Sequence, residues 1–124
     1  MEQKRIEEFE RDGKAFMYID FSNIKTHKEF KEMTDLVKSV VSKYPQQSLY
    51  TITNIENVRI DTELKKFVKE YLENNKFSVK YGVVIGIDGI KKVLISTMLK
   101  LCGRNNLIFA FSREQAFELL LKQK

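Results

Sequence analysis

Residues 15–21, Ala15-Phe16-Met17-Tyr18-Ile19-Asp20-Phe21, are apolar on both faces of an extended chain, the pattern of a strand covered on each side. Such a strand belongs in the middle of a sheet. Just before it, Arg5-Ile6-Glu7-Glu8-Phe9-Glu10-Arg11 is polar, as an edge strand should be, and Asp12-Gly13 between the two runs predicts a type I′ hairpin. The sheet therefore opens with one antiparallel pair.

Downstream the pattern changes period. Thr26 and Glu29 form a capping box ahead of Phe30, Met33, Leu36, Val37, Val40, Val41 and Tyr44, an amphipathic helix that Pro45 stops. Ser48-Leu49-Tyr50-Thr51-Ile52-Thr53 reads as a short strand, and Asp61 caps a helix striped by Leu64, Phe67, Val68, Tyr71 and Leu72 and closed by Asn74-Asn75. A fourth strand is expected from Val79 to Ile87, a helix from Ile90 to Cys102 ended by Gly103, a fifth strand at Leu107-Ile108-Phe109-Ala110-Phe111, and a last helix capped by Ser112 with Gln115. The order β-β-α-β-α-β-α-β-α predicts one α/β domain spanning residues 1–124, with a mostly parallel five-stranded sheet and four helices on its faces.

Composition narrows the function classes. The 124 residues are 43% hydrophobic and 31% charged, a globular mixture. No apolar run approaches the roughly 20 residues of a membrane span, and Met1-Glu2-Gln3-Lys4 lacks a signal peptide's apolar stretch, so a cytoplasmic protein is expected. One cysteine and one histidine cannot make a disulfide or a zinc site, and no metal or cofactor is expected. Charge is lopsided: residues 1–62 carry 10 Lys/Arg and 11 Asp/Glu, residues 63–124 carry 12 and 6. The basic half shows no Arg-aromatic run or recognition helix, so solvated helix faces are expected rather than nucleic-acid binding.

In a sheet of this kind ligands sit beyond the carboxyl ends of the strands, here Asp20 and Ser22, Thr53 and Asn54, Asp88, and Ser112. Asp20 with Asp88 lacks the adjacent acid and the lysine that receiver-type phosphoryl transfer needs. Gly86-Ile87-Asp88-Gly89-Ile90-Lys91-Lys92 joins glycines, a helix start and two lysines, but Asp88 would repel an anion, and a tight strand-to-helix turn is the simpler reading. Cys102, at a helix C-terminus, reads as a small buried hydrophobe, and His27 as a residue without a catalytic partner. Thr62, after Asp61 at a helix start, sits where a phosphate would meet the positive end of the helix dipole.

The helix after strand four carries the most information. At 100° per residue its apolar positions, from Val93 through Ile90, Leu101, Leu94, Met98, Cys102 and Ile95 to Leu99, spread over about 240°, leaving only Lys92, Ser96 and Lys100 as a polar stripe. Packing on one sheet needs far less. Ile95 and Leu99 lie at the edge of that arc and, with Met98, Lys91 and Lys92, are the expected contact residues. Their occupant is expected to be another protein or a second copy, with a lipid, an apolar small molecule or an anionic membrane surface as the alternative.

Several segments together carry a resemblance: Phe16-Met17-Tyr18-Ile19-Asp20-Phe21-Ser22, Ser48-Leu49-Tyr50-Thr51-Ile52-Thr53-Asn54, Lys80-Tyr81-Gly82-Val83-Val84-Ile85-Gly86, Gly89-Ile90-Lys91-Lys92 and Gly103-Arg104. The chain resembles, over nearly its whole length, small bacterial proteins of the SpoIIAA-like, STAS-related group. The resemblance implies a four-helix α/β domain like the anti-sigma factor antagonists and the related lipid-exchange CRAL-TRIO domains, and a non-enzymatic regulatory or protein-interaction role. In the antagonists the phosphorylated residue follows an aspartate at the start of the helix after a central strand. Asp61-Thr62 matches that position as a phospho-switch, with Glu63 and Leu64 in place of the usual serine and glycine.

Overall fold

Asp12 and Gly13 both take positive φ, 55° and 77°, the backbone a type I′ turn demands. They join β1 (Ile6–Arg11) to β2 (Lys14–Asp20) in antiparallel register, with Phe9 opposite Phe16. The computed structural model describes residues 5–123; the four opening residues, on which the signal-peptide expectation rests, lie outside them. The remaining elements follow in the expected order: α1 (His27–Val41), β3 (Leu49–Asn54), α2 (Thr62–Asn75), β4 (Val79–Ile85), α3 (Gly89–Leu101), β5 (Leu107–Phe109) and α4 (Arg113–Leu121). Two strands are shorter than expected, β4 ending at Ile85 and β5 at Phe109.

Spatial order in the sheet equals chain order, β1-β2-β3-β4-β5. β2, β3, β4 and β5 pair in parallel and β1 is antiparallel to β2, so the sheet is mixed rather than the mostly parallel one expected. The hairpin dictates this, because a two-residue turn can only reverse the chain, while each later strand returns through a helix. Successive crossovers in one direction put α1, α2 and α3 on the same face. There Met17, Ile19, Phe21, Leu49, Val79 and Val84 meet Phe30, Val37, Leu64, Leu72, Ile95 and Leu99. Phe16, Tyr50, Ile52, Val83 and Ile85, alternating with these along the strands, point the other way and pack under Ala116 and Leu120 of α4. β2 is thus buried on both faces.

Two close approaches fix the connections between elements. Gly86, at φ +75°, ends β4 where an added Cβ would stand 2.6 Å from the Glu56 nitrogen; only glycine fits there. At the opposite end of the strands α2 and α3 exchange caps. Arg104, 7% exposed, donates from Nη1 to the Leu72 carbonyl (3.1 Å), and Lys76 donates from Nζ to the Cys102 carbonyl (2.9 Å). Each cation thereby sits at the negative end of the other helix. Asn106 accepts from Arg104 Nε and donates to the Val79 and Lys80 carbonyls, fixing the arginine to the start of β4.

Candidate functional site

Asp88 caps α3, its Oδ1 accepting from the Lys91 N–H at 2.9 Å. A carboxylate thus occupies the N-terminus where the glycine-lysine run would otherwise have met an anion. Asp20 is likewise engaged in a turn, accepting from the Ser22 N–H. No group of three or more His, Cys, Asp or Glu side chains arranged to hold a metal occurs among the described residues.

The orientation of α3 differs from expectation. Ile95, Met98 and Leu99 are 4%, 7% and 7% exposed and lie in the main core with Cys102, so they are structural residues and not a contact surface. Leu107 and Phe109 of β5 pack against the same core, and Lys92 Nζ lies 5.7 Å from the Phe109 ring centroid. The reason is the width of the apolar arc. A 240° arc exceeds what the sheet hides, but either end can face the sheet, and the end carrying Ile95 and Leu99 does. The other end is left in solvent: Ile90, Val93 and Leu101 are 84%, 69% and 74% exposed. α1 and α2 pack closely along the sheet, whereas α3 makes fewer close approaches to α2. An open groove of about 610 Å³ results, lined by Ile90, Val93, Leu94, Thr97, Met98 and Leu101, with Lys65 of α2 at its margin.

Polarity does not interrupt this groove. Thr97 donates its hydroxyl to the Val93 carbonyl at 3.0 Å, satisfying it within the helix. Lysines flank it along the helix, Lys100 exposed beside Val93 and Lys91 half-buried beside Met98, and α3 contains no acidic residue between its capping Asp88 and its end. Further apolar side chains stand free elsewhere. Phe111, just beyond the carboxyl end of β5, is 95% exposed, and Ile108 on that edge strand is 41% exposed.

The second expected feature lies at the carboxyl ends of β2 and β3. Asp61 caps α2, its Oδ1 accepting from the Leu64 N–H at 2.9 Å. His27, at the start of α1, donates from Nε2 to the same carboxylate at 2.9 to 3.0 Å, and its Nδ1 lies 3.6 Å from Glu63 Oε1. The Leu64 N–H first, and His27 second, hold the Asp61 carboxyl below the usual carboxylate range. Thr62 is exposed in the first turn of α2, between the two acids that His27 faces. The His27 pairing escaped the sequence reading. Its only signal was that both residues sit at helix starts following neighbouring parallel strands, 34 residues apart.

Cys102 is buried, and burial with nearby Glu73 raises its thiol pKa, so it stays a thiol. No described helix is long and apolar enough to cross a membrane. Compared with known families and curated proteins, the chain matches no family model and no curated protein.

Proposed function

We propose that this chain is a non-enzymatic module of the STAS-related, SpoIIAA-like kind, acting in the bacterial cytoplasm by contact with another protein, and that the outward stripe of α3 makes the contact. One observation carries this reading: Ile90, Val93 and Leu101 stand largely exposed side by side on one helix. Leaving a side chain of that size in water forgoes on the order of 1.5 to 3 kcal/mol of burial. Contiguous apolar patches on a folded chain mark interaction surfaces more often than scattered ones do. The four-helix α/β architecture is compatible with the resemblance, and Thr62 offers a position for regulation at the start of α2. It is exposed, follows a capping aspartate, and precedes by one turn the Lys65 that borders the groove. Phosphate there would add about −1.5 to −2 charges within reach of that lysine.

The lysines around the stripe favour a second reading, an anionic lipid surface or a small apolar ligand held by the same helix. Retention from native lysate on immobilised protein, with and without the pair Val93→Lys and Leu101→Lys, tests the first. Proteins held only by the unaltered chain support it, and identical retention removes it. Co-sedimentation with anionic liposomes that falls with salt would favour the second.

A further inference from the structure

We infer that the groove on α3 receives an amphipathic helix of a partner protein, its apolar face flanked by Asp and Glu. The inference rests on the contact reading above and names the partner's chemistry. Its first support is spacing. Ile90, Leu94, Thr97 and Leu101 follow one another at intervals of four, three and four residues, the repeat of a seam between two packed helices. The stripe covers about three turns, or roughly 16 Å of axis, so a single helix of similar length would fill it. With the Thr97 hydroxyl satisfied inside α3, such a helix meets no unpaired polar group along the seam.

Its second support is charge complementarity. Lys91 and Lys100 occupy positions beside the seam, Lys65 of α2 borders the groove, and α3 has no acid of its own. Acidic residues flanking the partner's apolar face would pair with them. A second copy of this chain fits poorly, because two-fold pairing of α3 with itself sets lysines against lysines. A bilayer would touch the protruding Ile90, Val93 and Leu101, but half-buried Leu94 lies lower in the groove, where a flat surface reaches less well than an inserted side chain.

The probe is a helix-stapled peptide of about 15 residues, long enough to span the seam but too short to be helical unaided. It carries leucine at the same four-three-four spacing and glutamate at the flanking positions; a control has lysine in place of glutamate. Titrated into the full isotope-labelled chain, the glutamate peptide is expected to shift amide resonances of residues 90–101. It should bind about tenfold or more tightly than the control and lose affinity with salt. Leu101→Lys and Val93→Lys, both at exposed positions, should each weaken binding about tenfold without lowering the melting temperature.

Equal binding of the two peptides, or shifts confined to other elements, overturns the inference. So does absence of peptide binding accompanied by retention on phosphatidylserine vesicles or by a doubled solution mass, either one abolished by Val93→Lys. In those cases the occupant is a lipid surface or a second copy. Peptide failure with lysate capture still dependent on Val93 defeats the acidic helix and leaves the protein-contact reading standing. If Val93→Lys alters none of these measurements, both fall.

Discussion

Arg104 donates to the carbonyl oxygen of Leu72 from within the core, 32 residues along the chain, without a carboxylate partner among the described residues. The negative end of α2 takes the place of an acid. Burial lowers the guanidinium pKa from its ordinary value, so the arrangement depends on the hydrogen bonds at Leu72 and Asn106. Arg104→Met, which keeps much of the stem and removes the donors, is expected to cost about 2 to 3 kcal/mol. Urea denaturation at neutral pH checks it.

Two substitutions on α3 separate its two sides. Leu99→Lys places a charge among core residues and is expected to cost about 3 kcal/mol or more, or to abolish folding. Val93→Lys faces solvent and should stay within about 0.5 kcal/mol of the unaltered protein. Thermal unfolding of both decides whether α3 is oriented as described.

Buried Tyr71 shares a 2.8 Å hydrogen bond with the hydroxyl of Thr53, and burial pushes its own pKa up to about 12. A folded value raised above the unfolded 10.0 gives stability that is complete below pH 10 and is lost as pH rises through about 12. The alkaline unfolding limb is expected to flatten in Tyr71→Phe. At neutral pH that variant should lose about 1 to 3 kcal/mol, because Thr53 is left unpaired in the core. Denaturation curves from pH 8 to 12 test both parts.

Asp61 gives the opposite limb. Its carboxyl is held below the ordinary value of 3.8 by the Leu64 N–H and His27. A depressed folded value means stability present above about pH 4 and lost as pH falls through the lower folded value. The melting-temperature gap between the unaltered protein and Asp61→Ala should be full at pH 5 and above and should close on acidification toward pH 2. A constant gap would mean the carboxylate charge contributes nothing.

Gly86→Ala combines a left-handed φ of +75° with a Cβ 2.6 Å from the Glu56 nitrogen. A loss of about 2 kcal/mol or more is expected, against little change for Gly89→Ala, where an added Cβ meets nothing within 4 Å. Side-by-side thermal unfolding makes the comparison.

Local chemistry was readable from sequence wherever a few neighbouring residues decide the backbone. Asp12-Gly13 specified its turn, and Thr26, Asp61 and Ser112 each accept from the backbone N–H three residues on, as their capping patterns required. The rotation of α3 was not readable. With apolar residues over two thirds of its circumference, periodicity set how much surface would remain uncovered but not which end of the arc would meet β4 and β5. The pairs His27 with Asp61 and Arg104 with Leu72 were hidden for another reason. Each is made by parallel crossovers that bring helix ends together over thirty residues apart, and no local pattern records it.

The reciprocal caps bear on how this chain is made. Synthesis proceeds from the amino end, so Leu72 enters the growing chain 32 residues before Arg104. Until Arg104 is joined, the Leu72 carbonyl lacks this donor. The cap on α2 therefore cannot form before residue 104 has been joined, although all of α2 and β4 precede it in the chain.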